Sequence, residues 1–141
     1  MWTRQASASS SGLAYRRQGD GHTVVLLHGI PGCAASWRAV TETLPTTLDV
    51  VVPDLLGFGA SDRPRHIDDL HARAQATALA RLLDELEIPT ATVIGHDFGS
   101  PVAAWCALLH PEIFRSVALM SAPFAGPPAS AVPAPDPVHD A

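Results

Sequence analysis

The chain has no lysine. All nine of its basic positions are arginine, against fourteen acids, for a formal charge of -5. Nine scattered guanidiniums in a net negative field do not anchor to phosphate, which excludes a nucleic-acid binder. Charge of either sign is scarce at 16%, while 47% of residues are apolar. Soluble domains average about 25% charged, and a disordered acidic chain would lie on the other side of that figure. Cysteine is nearly missing too. Cys33 and Cys106 make neither a disulfide framework nor an all-cysteine zinc site, so no metal and no cofactor are expected. No apolar run approaches the roughly 18 residues of a membrane span. The first twelve residues are polar, Ser/Ala-rich and without the apolar stretch of a secretory leader. The expectation is a cytoplasmic chain with no membrane or nucleic-acid partner.

What is present is a pattern of strands and helices. At 141 residues, folded-surface scaling allows burial of about two thirds of the extended chain's surface, enough for one core. Thr23–Leu27, Leu48–Val52 and Ala91–Ile94 are short apolar runs, each the mark of a buried parallel strand, and Phe114–Met120 predicts a fourth. Leu13–Arg17 is amphipathic and is followed by Gly19-Asp20-Gly21, predicting an edge hairpin with the first of those runs. Helical spacing over Ser36–Leu44 stops at Pro45. A long helix is predicted from Ile67 to Ile88, with apolar residues at 67, 70, 74, 78, 82 and 86. Strands separated by such helices give right-handed crossovers and an α/β fold. The expected division is a flexible stretch over 1–12, a core domain over 13–123 and a tail over 124–141. Five of those last eighteen residues are Pro and five are Ala, unsuited to helix interior or ladder strand.

The chemistry lies at three turns that follow strands. Gly95-His96-Asp97-Phe98-Gly99 has the Gly-x-Nuc-x-Gly form of a nucleophile elbow, a tight strand-to-helix turn whose flanking residues are crowded and must be small. Its central residue is Asp rather than Ser, with the Phe98 N–H and a helix N-terminus facing the carboxylate. Alone, such an Asp is more simply a helix N-cap. His28-Gly29-Ile30-Pro31-Gly32 turns sharply at Gly29 and is fixed by Pro31, through a cis bond if one forms there, bringing the Ile30 N–H beside the elbow. Alone, this too is an ordinary Gly-Pro turn. The third turn, Asp54 to Pro64 with Gly57-x-Gly59-x-Ser61, lacks the third glycine of a dinucleotide loop, and no Lys is available for a P-loop. It reads as structural.

Taken in this order and spacing, the three turns resemble the α/β-hydrolase fold from about Gly12 to Phe124. His28-Gly29-x-Pro31, Gly95-His96-Asp97-x-Gly99 and Ser121-Ala122-Pro123-Phe124 are most similar to its epoxide hydrolase and haloalkane dehalogenase branch. The resemblance implies a mostly parallel sheet with helices on both faces, incomplete here because the family's cap and C-terminal strands would follow. It implies Asp97 as nucleophile and the Ile30 and Phe98 N–H groups as oxyanion donors. His28, Gly29, Pro31, Gly95, His96 and Gly99 would support the site. The implied substrate is a small apolar epoxide or alkyl halide, with no cofactor.

A carboxylate nucleophile suits attack on an sp³ carbon, forming an alkyl-enzyme ester. Ile30 and Phe98 carry no side-chain donor for a halide, and no Arg stands beside the nucleophile as in fluoroacetate-type dehalogenases, so the epoxide is favoured. The acid that epoxide opening needs is not found, since Tyr15 is the sole tyrosine. The general base is not assigned either: of the two histidines after the nucleophile, His110 falls at the far end of the elbow helix and His139 lies within the Pro-rich tail, an unfavourable place for the base. Three alternatives stay open: a haloalkane dehalogenase-like hydrolase, a non-catalytic remnant of the fold, and an acyl hydrolase that the Asp disfavours. A bare apolar edge at Phe114–Met120 implies self-association.

Overall fold

The computed structural model describes residues 3–5 and 10–123. Six strands form one sheet: β1 (Thr3–Gln5), β2 (Tyr15–Gln18), β3 (His22–Leu27), β4 (Leu48–Pro53), β5 (Ala91–His96) and β6 (Phe114–Met120), in the spatial order β1-β2-β4-β3-β5-β6. β4, β3, β5 and β6 are mutually parallel, whereas β1 and β2 run antiparallel at one edge. Three α-helices connect them: α1 (Arg38–Thr41), α2 (Ala72–Glu85) and α3 (Gly99–Leu109).

Period-two alternation splits the strand side chains between two faces. Val25, Leu27, Val51 and Val93 pack with α2 and α3 residues, including Leu79, Leu82, Leu83, Val102 and Cys106, in the larger core. Leu26, Val50 and Val52 meet Ala34 and Trp37 on the opposite face. Helices therefore cover both faces, as the continuous apolar strands require. A buried charge joins three strands at the end of the sheet where β3 and β4 begin and β2 finishes. Asp49 of β4 accepts from Arg17 Nε and Nη2 of β2 at 2.7 and 3.0 Å, and from the Thr23 hydroxyl of β3 at 2.7 Å. That set of donors accounts for an acid inside an otherwise apolar strand.

Four expectations need adjusting. β2 and β3 do not form a hairpin, because β4 lies between them and pairs with both. Gly19 and Gly21, with φ of +76° and +123°, press on the backbone carbonyls of Leu48 and Thr47, so the connection crosses over the start of β4. The helix foreseen at Ser36 begins as a 3-10 turn over Ala34–Trp37 and continues only through Thr41. The helix foreseen from Ile67 is divided: Ile67–Leu70 is 3-10, His71 is extended, and α2 begins at Ala72. Ile67 is 78% exposed, so it does not hold that first turn to the core. Finally, the stretch expected to be flexible, 1–12, includes strand β1. The Pro/Ala-rich stretch 124–141 lies outside the described residues.

β6 ends the sheet on the other side. Past Phe114 it is exposed throughout, with Val117, Leu119 and Met120 between 44% and 49% accessible. The core is concentrated around α2. Leu79→Ala, at a fully buried position, is expected to lower unfolding free energy by about 2–5 kcal/mol, while Leu108→Ala, 71% exposed on α3, should stay within about 0.5 kcal/mol. Urea denaturation of the two variants checks this; equal losses would contradict the placement of the core.

Candidate active site

The turn from β5 into α3 is built by close approach of backbones. A Cβ on Gly95 would strike the Gly99 carbonyl, and one on Gly99 would sit 2.6 Å from the Leu27 oxygen of β3. Neither position admits a side chain. Between them Asp97 adopts φ of +51°, a left-handed conformation costly for a residue with a Cβ. Its surroundings fix it there. Asp97 N donates to the Met120 oxygen of β6 at 2.9 Å, and Ser100 N donates to the Asp97 carbonyl at 2.9 Å. The buried Ser100 hydroxyl lies 2.9 Å from the Gly95 oxygen and 3.0 Å from that of Met120. The β5 strand, the α3 start and the β6 end thus clamp one residue.

The carboxylate so displayed meets the loop after β3. Ile30 N donates to Asp97 Oδ2 at 3.0 Å. Gly29 lies beneath the side chain, where a Cβ would be 2.6 Å from Asp97 Cβ. The Ile30–Pro31 peptide is cis. The Ile30 N–H, then the Phe98 N–H and more weakly His96, hold the Asp97 carboxyl below the usual carboxylate range. Asp97 is therefore an anion at neutral pH, faced by two backbone donors at the N-terminus of α3.

His28 is the buried anchor of that loop, 1% exposed. Its Nε2 accepts from Leu55 N at 3.0 Å, and its Nδ1 faces the Gly29 oxygen at 2.9 Å. Acceptance at Nε2 assigns the proton to Nδ1, giving one neutral tautomer. Phe58 stands edge-on to the ring at 5.4 Å between centroids. Asp54, buried at the end of β4, accepts from Ala34 N at 2.6 Å and Ala60 N at 2.9 Å. The Gly57-x-Gly59-x-Ser61 loop is thus structural, as read from sequence, but it also braces the loop that carries Ile30.

His96 is exposed, with its ring edge-on to Trp37 at 6.5 Å. Ile30, Pro31, Trp37, Val40, His96 and Met120 help line a cleft of about 310 Å³ beside the elbow. A larger hollow of about 1160 Å³, bordered by Arg63, Arg65, Arg73, Arg81 and Trp105, shares no residue with it. The structure does not bring the other histidines to Asp97. His22 bonds Thr92 near the opposite end of the sheet, His66 and His71 lie on the exposed approach to α2, and His110 caps the far end of α3. His139 lies outside the described residues. Tyr15 is buried in the core on β2. Among the described residues no group of three or more His, Cys, Asp or Glu side chains is placed to hold a metal, and no helix is long and apolar enough to cross a membrane.

Sequence reasoning missed Asp54 and Gln75. The signal for Gln75 was a polar residue inside the buried stripe of α2, which runs through Gln75, Ala76, Leu79, Leu82 and Leu83.

A parallel sheet carrying a nucleophile-elbow turn at the C-terminal end of an inner strand defines a class of hydrolase. The family model for the alpha/beta hydrolase fold matches residues 22–139, and the chain belongs to that family. It is 34% identical over 109 residues to an epoxide hydrolase of Caballeronia sordidicola, covering 76% of this chain and 33% of that one. It is 36% identical over 105 residues to the 2-hydroxymuconate semialdehyde hydrolase of Pseudomonas sp. strain CF600, covering 72% and 37%. An epoxide hydrolase structure from an endophytic Streptomyces superposes with a TM-score of 0.81 at 34% identity, over 88% of this chain and 38% of that one. The chain spans about a third of the length of these curated relatives.

Burial lowers the His28 pKa, outweighing the Gly29 carbonyl and Asp54, which raise it. The unfolded chain therefore takes up a proton near pH 6.5 that the folded chain resists. This contribution to stability is complete above that pH and is lost as pH falls toward the folded-state value. Urea midpoints between pH 7.5 and 5.5 should fall with pH, and the slope should shrink in His28→Leu. An unchanged slope in that variant would contradict the buried neutral imidazole.

Proposed function

We propose that this chain carries the nucleophilic half of an epoxide-opening hydrolase active site, with Asp97 as nucleophile. The observation that carries the reading is the Asp97 carboxylate displayed at the elbow with positive φ, accepting from the Ile30 N–H at 3.0 Å. Relatives of this chain include both epoxide hydrolases and a semialdehyde hydrolase, so the family leaves the reaction open. The residue at the elbow narrows it. A carboxylate attacking an ester would form an anhydride no easier to break, whereas attack on an sp³ carbon bearing a leaving group yields a hydrolysable ester.

In the first step an Asp97 oxygen bonds to an epoxide carbon. The ring C–O bond breaks, and its electron pair goes to the oxygen, which takes up a proton. In the second step water attacks the carbonyl carbon of the Asp97 ester and loses its proton to a base. Negative charge moves onto the carbonyl oxygen, facing the Ile30 and Phe98 N–H groups. Collapse breaks the ester C–O bond, and its electron pair leaves on the alkoxide. The alkoxide takes the proton of the new carboxylic acid, leaving a diol and the Asp97 carboxylate. The proton on the base returns to solvent and replaces the one taken up in the first step. Removing one donor of this kind costs about 10²–10³ in rate in measured hydrolases.

The apolar rim formed by Ile30, Trp37, Val40 and Met120 suits a small apolar substrate. A haloalkane reading is less well supported, because neither Ile30 nor Phe98 has a side-chain donor for the departing halide. No histidine among the described residues is hydrogen-bonded to Asp97, so the ester is expected to form faster than it is released. A base typically contributes 10²–10⁴-fold.

Intact-mass analysis after incubation with a terminal aryl epoxide should show one adduct per chain, mapping to Asp97 and absent in Asp97→Asn. An adduct that survives Asp97→Asn would overturn the assignment. Halide release from a chloroalkane, without reaction of the epoxide, would favour the dehalogenase reading.

A further inference from the structure

The hydrogen bonds behind Ile30 lead further than the elbow. Gln75 of α2 is 0% exposed, although it stands in a stripe otherwise made of Ala and Leu. Its amide grips one residue at both backbone groups: Leu56 N donates to Oε1 at 2.8 Å, and Nε2 donates to the Leu56 oxygen at 3.0 Å. The preceding backbone N–H, that of Leu55, donates to His28 Nε2. His28 Nδ1 then holds the carbonyl of Gly29. That residue is covalently next to Ile30, whose N–H reaches Asp97. Each link is within ordinary hydrogen-bond distance.

We infer that Gln75 is a positioning residue, which through Leu56, Leu55, His28 and Gly29 sets the direction of the Ile30 N–H toward Asp97. Gln75 does not touch the carboxylate or the cleft. The physical basis is the two-point grip. The Leu55–Leu56 peptide is held at its carbonyl by the Phe58 N–H and at its N–H by Gln75. Gln75 fixes Leu56 at N–H and C=O together, and with the Ser61 hydroxyl on the Asp54 carbonyl this keeps the Leu55 N–H aimed at the imidazole. The imidazole in turn has its tautomer chosen by that donor, leaving Nδ1–H for Gly29. Only a side chain with an acceptor and a donor of this length completes the grip. Leu preserves the volume and supplies neither group, and Glu supplies the acceptor but opposes the Leu56 carbonyl with like charge.

The inference rests on the reading of Asp97 and Ile30 as site residues, and its test separates the two. The Asp97 carboxyl carbon is titrated by NMR in the wild-type chain, Gln75→Leu, Gln75→Glu and Leu83→Ala, the last a core variant remote from the hydrogen-bonded path. Gln75→Leu should raise the Asp97 midpoint toward that of an ordinary aspartate, and should slow epoxide adduct formation about tenfold. Leu83→Ala should lower the thermal midpoint while leaving the Asp97 titration in place. If Gln75→Leu loses stability like Leu83→Ala with the Asp97 midpoint unmoved, Gln75 only fills the core and the inference is wrong. If Gln75→Leu does not fold, Gln75→Glu carries the same comparison. A shift of the midpoint with no adduct in the wild-type chain would retain the positioning role and discard the epoxide reading.

Discussion

The turn between β5 and α3 depends on the absence of side chains at Gly95, Gly99 and Gly29. With a Cβ at Gly99 the helix could not start against the Leu27 carbonyl of β3, and with one at Gly29 the loop could not pass beneath Asp97. These exclusions bring three backbone segments together and oblige the intervening residue to take a positive φ. The strain at Asp97 is offset by hydrogen bonds from the adjoining β6 end and α3 start. Electrostatics follows from packing here. Once the segments are this close, the Ile30 N–H reaches the Asp97 carboxylate.

The remainder of the molecule maintains that contact. β3 and β4 are buried on both faces. α2 and α3 pack on the face that carries the larger core, and α3 is held there by Val102, Ala103 and Cys106. On the other side of the elbow, Asp54, His28 and Gln75 tie the third turn to the second. The chain thus has a rigid site floor and, over β6, an exposed apolar margin. The aligned part of the chain covers 33% to 37% of the relatives it matches.

Much of this was legible in the residues. The parallel strands announced themselves as continuous apolar runs, and the elbow and the Ile30 loop as glycines bracketing an Asp and preceding a Pro. Steric necessity writes itself into sequence at such positions, because only one residue type fits. Where several types fit, sequence said less. Gly19-Asp20-Gly21 looks the same whether it closes a hairpin or crosses β4, because the choice depends on which strand arrives as neighbour. The helical period across Ile67–Ile88 concealed the break at His71, since periodicity reports apolar spacing and not whether a partner surface exists. Gln75 and Asp54 were overlooked because a single buried polar group is meaningful only through partners distant in the chain.

Asp97 accepts from the Ile30 N–H of one loop and lies beside the Phe98 N–H of its own. Amide proton shifts of Ile30 and Phe98, followed through an acid titration of the isotopically labelled chain, report whether both answer to the one carboxylate. Both amides should move downfield on ionisation with one common midpoint, below the usual aspartate range, and both should cease to respond in Asp97→Asn. Independent midpoints, or an Ile30 amide indifferent to the state of Asp97, would show that the two loops do not converge on this residue.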